Sequence, residues 1–330
     1  MATVADLKGM ADTRNESFEN TSLSGVELTH DGLLLRGSNK TVEFDDLAVN
    51  HLSRYLKINP KYIAQCPRAL QEENINYWLN SFGDTEAVFH TIGHSLKGVY
   101  SPTKKIIPMS QVMNIVSQVF RPDDEVVSFN ADDDQIHLDV IASNLSIEVP
   151  GHGTEERPHV GDITHGGIRW FVYPNQEKAP SVETYFNRLV CTNGMSSPSK
   201  EHEVRLRGNT VEEVLESLET NARALLAELP EKLAEYRHTA DVQAPEKMGE
   251  FAYQLASEHS LPHMVVDRVM NNLAALPEEP SVYDVIQGIT SIANEDVSFK
   301  NKIKIQRLGG QLAMRTEQAM HRCVQCERPL

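Results

Sequence analysis

The sequence has few cysteines and no long apolar run. Only four cysteines occur in 330 residues, which is too few for a disulfide framework. No stretch approaches the roughly 18–20 apolar residues that a membrane helix needs, and the N-terminal residues lack the apolar core of a signal peptide. These absences predict a cytoplasmic protein with reduced thiols and no membrane partner.

The common catalytic and nucleotide-binding motifs are also missing. The sequence contains no GxxxxGK(S/T) phosphate loop, no GxGxxG after a strand, no HExxH and no GxSxG. These patterns are typical of P-loop proteins, dinucleotide enzymes, zinc proteases and serine hydrolases. Their absence favours a protein that acts by binding rather than by catalysis.

Charge is present in excess of one sign, but it is unevenly distributed. The net charge is −16. Residues 201–299 carry 7 basic and 19 acidic groups, whereas residues 300–330 carry 7 basic and 2 acidic groups. An acidic protein is held away from nucleic acid by its overall field, yet a local basic segment can still neutralise phosphates. A nucleic-acid partner is therefore compatible with this sequence.

Hydrophobic periodicity divides the chain into four parts. We expect a mobile polar arm at 1–40, with a short hairpin through 30–32, and a helical cluster at 41–85. A β-rich domain at 86–200 and a helical region at 201–330 follow. The predicted fold class is α+β, in which helices flank a curved, mostly antiparallel sheet.

Within these parts, a helix is predicted at 109–120, crossing the sheet, and a strongly amphipathic helix at 211–229, which Pro230 ends or kinks. Further helices are expected at 245–258, 262–275, 281–294 and 301–322.

Basic and aromatic residues are interleaved along the predicted sheet. Lysine and arginine groups that follow phosphates, beside aromatic rings that stack on bases, are typical of single-strand binding. Because core aromatics and solvated lysines give the same pattern, a purely structural role stays open. The candidate nucleic-acid contacts are Lys97, Lys104, Lys105, Arg121, Arg169, Trp170, Tyr173, Arg188 and Asn193.

Two segments contain residue types that bind metals. Three histidines lie in the loop 151–167, and a CxxC pair lies in the C-terminal tail. Neither matches a complete zinc pattern, so we expect no cofactor and leave zinc as an alternative. The weak metal candidates are His152, His159, His165, Cys323 and Cys326.

Several of these residues carry a resemblance to a known family. The strand Gly167 to Tyr173, the run Arg188-Leu-Val-Cys-Thr-Asn-Gly-Met195 and the segment Ser281 to Thr290 resemble the phage and plasmid-like proteins grouped as domain of unknown function nine-three-two. A further likeness is to single-strand annealing proteins of the RecT and Rad-fifty-two type. The resemblance implies a protein of a mobile element in the bacterial cytoplasm.

Three hypotheses for the function follow. The first is a non-enzymatic protein that binds and anneals single-stranded DNA and forms a homo-oligomer. The second is an acidic interaction or regulatory factor that acts on a host protein through the helices after residue 200. The third is a metal-dependent nuclease that uses residues 132–134 or the histidine loop.

Overall fold

An open, curved sheet of six strands forms the centre of the protein, and the fold is α+β as predicted. The computed structural model describes residues 2–131, 135–149, 162–174, 178–188, 194–197, 210–244, 253, 257, 260–276 and 278–314. The strands are β1 (Ala2–Thr3), β2 (Glu16–Ser22), β3 (Val26–Thr29), β4 (Gly32–Leu35), β5 (Lys40–Val42), β6 (Glu86–Ile92), β7 (Ser95–Tyr100), β8 (Glu125–Ala131), β9 (Ile136–Val149), β10 (Asp162–Val172), β11 (Ser181–Arg188) and β12 (Gly194–Ser197). The helices are α1 (Val4–Thr13), α2 (Asp46–Tyr55), α3 (Pro60–Gln65), α4 (Arg68–Phe82), α5 (Met109–Val119), α6 (Val211–His238), α7 (His263–Ala274), α8 (Val282–Thr290) and α9 (Phe299–Met314).

Antiparallel pairing joins all neighbours in the three sheets. The six-stranded sheet has the order β1-β8-β9-β10-β11-β12, and its longest pairings lie between β9, β10 and β11. Two three-stranded sheets, β2-β6-β7 and β3-β4-β5, belong to the N-terminal part of the chain. The prediction placed β6 and β7 with the central sheet, whereas they pair with β2 instead.

One face of the central sheet is apolar and covered by helices. Because side chains alternate along a strand, Ile168, Trp170 and Val172 of β10 point to the same side. They are fully buried in a core to which α1, α5 and α6 contribute. The predicted crossing helix is thus confirmed as α5, whose buried residues belong to this core.

The opposite face carries polar groups and is covered by α9. Arg169 and Phe171 alternate with the apolar set of β10 and point to this side. Arg307 of α9 lies over the ring of Phe171, with its guanidinium carbon 5.4 Å from the ring centroid. The central strands are therefore covered on both faces in the part of the chain that the structure describes.

The prediction of a mobile arm at residues 1–40 is wrong for residues 2–40. Thr3 and Asp6 form a capping box at the start of α1, and Val4, Leu7 and Ala11 of α1 lie in the core of the central sheet. Spacings of three and four residues place these three side chains on one helix face. Because most residues around this stripe are polar, the sequence pattern did not predict a buried helix here.

The remaining N-terminal elements form a second core. The hairpin predicted through residues 30–32 is confirmed as the turn between β3 and β4, where Gly32 has a φ of 144°. The helical cluster predicted at 41–85 corresponds to α2, α3 and α4. Their buried faces pack with β3, β4, β6 and β7 in one apolar cluster.

Helix α6 does not end at Pro230 but continues to His238. The proline lies on the exposed side of the helix, while Leu229, Leu233 and Tyr236 extend the buried stripe. A proline inside a helix costs about 3 kcal/mol. Burial of three large side chains offsets this cost, since each contributes roughly 1.5–3 kcal/mol.

Most of the helix predicted at 245–258 lies outside the described residues, while those predicted at 262–275, 281–294 and 301–322 correspond to α7, α8 and α9. None of the described helices is both long enough and apolar enough to cross a bilayer.

The anchoring of α1 is tested by replacing Leu7 with alanine. Leu7 is 5% exposed, and removal of a buried leucine side chain costs about 2–5 kcal/mol. We expect this loss in the free energy of unfolding from urea titration, whereas Met10→Ala on the outer side of the same helix, where Met10 is 43% exposed, leaves it nearly unchanged. Equal effects of the two substitutions would contradict the packing of α1.

Candidate nucleic-acid interface

Arg169 lies at the centre of a row of charges that crosses three strands. In the antiparallel register, Arg169 of β10 is directly opposite Asp139 of β9 on one side and Glu183 of β11 on the other. Its Nε and Nη2 atoms donate to the two carboxylate oxygens of Asp139 at 2.7 and 2.8 Å. Oε1 of Glu183 lies 3.9 Å from Nη1. All three side chains are at most 3% exposed.

The same guanidinium connects the sheet to α9. Nη2 of Arg169 donates to Oε1 of Gln306 at 2.8 Å, and Nη1 donates to Oγ of Ser196 at 3.0 Å. From α9, Nε of Arg307 donates to Glu183 at 3.0 Å. The two arginines and the two carboxylates balance in charge, and all three guanidinium nitrogens of Arg169 are bonded. Nε2 of the buried His137 also lies 3.2 Å from Oδ1 of Asp139. We call these residues, Asp139, Arg169, Glu183 and Arg307, the charge row.

The protonation state of Asp139 depends on this pairing. Burial raises the pKa of Asp139, but the attraction and hydrogen bonds of Arg169 outweigh it and bring the pKa down to about 2. For Arg169, burial lowers the pKa, and the attraction of Asp139 and then of Glu183 raises it above its usual value. Both groups are therefore charged at neutral pH.

Burial removes Arg169 and Trp170 from the predicted nucleic-acid contacts. Arg169 is 1% exposed and bonded on all sides, and Trp170 is fully buried in the apolar core. Tyr185, another aromatic residue of these strands, lies beneath Arg169 with its centroid 4.7 Å from the guanidinium carbon. The aromatic alternation of these strands therefore marks two buried faces.

Arg188 lies at the far end of the sheet. Its Nη1 donates to Oε1 of Gln287 at 2.9 Å, and its guanidinium carbon is 5.8 Å from the Tyr283 centroid. It is seven positions from Ser181 along β11, or about 24 Å. Arg188 therefore does not share a surface with the end of β10 that pairs with Ser181. Asn193 lies outside the described residues.

Arg121 is also placed apart, and Lys97 is not fully exposed. Arg121 follows the C-terminal end of α5 and is exposed. A helix of 11 residues is about 16 Å long, so Arg121 is distant from residues that precede α5. Lys97 is half-buried within β7.

Three predicted contacts do come together, at the rim of the central sheet. Lys104 and Lys105 precede α5, and Tyr173 follows β10. The two segments are joined by a hydrogen bond from the backbone N–H of Ile107 to the carbonyl of Pro174, at 3.0 Å. Since Lys104 is three residues from Ile107, their Cα atoms are at most about 11 Å apart.

Each segment presents a lysine over a tyrosine ring. Nζ of Lys104 is 5.3 Å from the centroid of Tyr100, and Nζ of Lys178 is 5.2 Å from the centroid of Tyr173. The Tyr100 ring lies against the backbone of Gly98, where a Cβ atom would collide with it. We call Tyr100, Lys104, Lys105, Tyr173 and Lys178 the loop surface.

The loop surface is locally basic although the protein is acidic. Residues 87–122 contain four basic and no acidic groups. No ion pair of Lys104, Lys105 or Lys178 is present within the described part of the chain. Partial burial raises the pKa of Tyr173, so its ring stays neutral at physiological pH.

The sequence prediction missed Tyr100 and Lys178 as site residues. Each belongs to a Tyr–Lys pair that is four or five positions apart in the sequence, Tyr100 with Lys104 and Tyr173 with Lys178. That spacing after a strand end is the sequence signal by which they could have been found. The contact between the two segments, by contrast, is formed only in the folded chain.

The metal candidates are mostly outside the described residues. This applies to His152, His159, Cys323 and Cys326, and also to the acidic turn 132–134. His165 is half-buried in β10. Among the residues that the structure describes, no group of three or more histidine, cysteine or acidic side chains is close enough to bind an ion.

The structural role of the charge row is tested with Arg169→Met. Loss of the guanidinium leaves Asp139 and Glu183 buried beside a single cation, and breaking a buried pair costs about 3–5 kcal/mol. We expect a fall of this size in the free energy of unfolding from urea titration. Arg121→Met, at an exposed position, is the matched control. If Arg169→Met were as stable as the control, the row would not be a structural contact.

The low pKa of Asp139 predicts a pH dependence of stability. A carboxyl group with a pKa of about 2, below its ordinary value of 3.8, stabilises the fold above pH 4 and loses this effect as the pH falls from about 4 to about 2. Urea midpoints measured between pH 5 and pH 2 should fall more steeply for the wild type than for Asp139→Asn. The difference in slope should correspond to the uptake of at most one proton on unfolding. Asp123→Asn, at an exposed position, should keep the wild-type slope.

Comparisons of this chain with protein families, with curated proteins and with solved structures find no match. The resemblance to domain of unknown function nine-three-two and the likeness to annealing proteins therefore remain predictions. The function has to be inferred from the geometry and charge of the loop surface.

Proposed function

We propose that this protein is a non-enzymatic single-stranded DNA-binding protein of the annealing type, and that it contacts DNA through the loop surface. The observation that carries the proposal is the pair of Tyr–Lys contacts on two segments bonded to each other. Rings for bases and cations for phosphates are the two components of single-strand binding.

The arrangement favours unpaired bases over a duplex. A tyrosine ring at a surface can stack on a base only when the base is free of its own neighbours, as it is in a single strand. In the proposed complex, bases stack against Tyr100 and Tyr173, while Lys104, Lys105 and Lys178 contact phosphates. The lysine over each ring moves to a phosphate when a base takes its place.

Rigid attachment of both segments supports this binding mode. Tyr100 ends β7, and the next segment leads directly into α5, whose residues lie in the core. Tyr173 follows β10, the central strand of the sheet. Because Tyr100 and Tyr173 are held at strand ends, little binding free energy is lost in ordering these two rings.

Annealing requires no catalytic group. A strand that is held extended along a basic surface cannot form hairpins, and the edges of its bases stay available to a complementary strand. The mobile-element context and the bacterial cytoplasm belong to the same proposal.

The proposal is tested by fluorescence anisotropy of a labelled single-stranded oligonucleotide, with a duplex of the same sequence as the comparison. We expect single-strand-selective binding that weakens between about 50 and 200 mM salt. Tyr100→Ala and Tyr173→Ala should each weaken binding by about tenfold, since stacking on one base contributes about 1–3 kcal/mol. Lys104→Ala should lower the salt slope by about 0.7.

Lys8→Ala is the matched control for charge, because Lys8 lies on α1 and pairs with Asp12 at 2.7 Å. This variant should bind DNA as the wild type does. Binding to neither oligonucleotide at low salt would refute the proposal and favour the acidic interaction factor. Cleavage of the oligonucleotide on addition of Mg²⁺ would favour the nuclease.

A further inference from the structure

Helices α3 and α4 expose a contiguous aromatic surface. Four of the nine large apolar side chains that are exposed in the described part of the chain lie here: Tyr62, Leu70, Tyr77 and Trp78. Tyr77 is 66% exposed, and its ring meets that of Trp78 edge to face at a centroid distance of 5.5 Å. Surface patches of this kind mark interaction sites.

The geometry of the helices makes these side chains one surface. Leu70, Asn74 and Tyr77 are separated by four and three residues and so lie on one face of α4. Nδ2 of Asn74 donates to the hydroxyl of Tyr62 at 3.2 Å, which fixes the ring from α3 beside α4. We call Tyr62, Leu70, Tyr77 and Trp78 the α4 surface.

Basic residues border the α4 surface. Residues 54–71 contain four basic and no acidic groups. Arg54, Lys57 and Lys61 are exposed, and no ion pair involves them within the described ranges. Two glutamates follow at positions 72 and 73 on α4 itself. Their negative charge disfavours binding of a nucleic-acid backbone along α4. It does not disfavour a protein partner whose acidic groups contact only the basic residues near α3.

The outer face of α6 has the complementary properties. Ala224, Ala227 and Ala234 are exposed together with Pro230, and their spacing places them along one side of the helix. Glu231 and Glu235 border this apolar strip on one side and are exposed, while Arg237 is exposed at its C-terminal end. Glu219 and Glu228 pair with Arg223 and Lys232, whereas no ion pair of Glu231 or Glu235 occurs within the described residues.

We propose that the α4 surface of one copy of this protein binds the outer face of α6 of a second copy. The large rings of Tyr77 and Trp78 would pack over the small side chains of α6, and Lys57 and Lys61 would face Glu231 and Glu235. Aromatic residues in the centre and charges at the rim are the usual arrangement of a protein interface. Because the two surfaces differ, the contact is head-to-tail. Each pair of copies therefore retains one free surface of each kind, and further copies can add to the chain or close a ring.

The first test is sedimentation equilibrium of the full chain. We expect the average mass to rise with protein concentration between about 5 and 100 µM, as for an interface of micromolar affinity. The double substitution Tyr77→Ala and Trp78→Ala should abolish this rise, while Met264→Ala leaves it unchanged. Met264 is a suitable control because it is 71% exposed on α7.

Charge exchange tests the pairing of the two surfaces. One variant carries Lys57→Glu and Lys61→Glu, and the other carries Glu231→Lys and Glu235→Lys. Each variant alone brings like charges together at the contact and should remain monomeric. An equimolar mixture restores opposite charges at every contact and should associate as the wild type does.

Three results would overturn the inference. These are a wild type that stays monomeric at 100 µM, variants that associate as the wild type does, and a mixture of the exchanged variants that stays monomeric. The inference does not depend on the loop surface. If Tyr100→Ala loses DNA binding but still self-associates, the result concerns the proposed function alone. If the variant with Tyr77→Ala and Trp78→Ala loses DNA binding but still self-associates, the α4 surface would be assigned to nucleic acid instead.

Discussion

The bidentate ion pair between Arg169 and Asp139 is the contact on which the arrangement of the central sheet depends. It lies on the face of the sheet that α9 covers, and the same guanidinium reaches Gln306 of that helix. An isolated charge in such a place would cost several kcal/mol, and a matched pair with its remaining hydrogen bonds satisfied does not. The charge row therefore specifies which helix covers this face and in which register.

Coverage of both faces determines where the protein can bind a partner. The apolar face is covered by α1, α5 and α6, and the polar face by α9. The central strands consequently act as a scaffold, and the basic and aromatic groups of the loop surface lie where strands end and segments leave the sheet. This is the position of the loop surface, whose two segments continue directly into α5 and out of β10. Rigid strands that hold variable segments at their ends are a common basis of binding sites.

The sequence was sufficient to predict the α+β class, the helix that crosses the sheet and the helical cluster after residue 41, because each has a clear hydrophobic period. It was not sufficient for α1, whose buried stripe of Val4, Leu7 and Ala11 is embedded in polar residues. It also favoured an end or kink at Pro230, although tertiary packing extends α6 beyond it. Local patterns do not contain the packing free energy that decides such cases.

The site was predicted only in part, for a related reason. Arg169 and Lys104 look alike in a sequence, since a basic residue beside apolar and aromatic residues can face solvent or a buried carboxylate. Only the register, which places Arg169 opposite Asp139 and Glu183, distinguishes the two. Lys104, Lys105 and Tyr173 were identified individually, yet their proximity arises from the contact between Ile107 and Pro174, 67 positions apart in the chain.

The most direct test of the proposed function is photocrosslinking of single-stranded DNA that contains 5-iododeoxyuridine, followed by mass spectrometry of the crosslinked peptides. Halogenated bases crosslink to the aromatic rings on which they stack. The proposed binding mode predicts crosslinks at Tyr100 and Tyr173, which disappear when excess unlabelled single strand is added. Crosslinks at Tyr62, Tyr77 or Trp78 with none at Tyr100 and Tyr173 would contradict it.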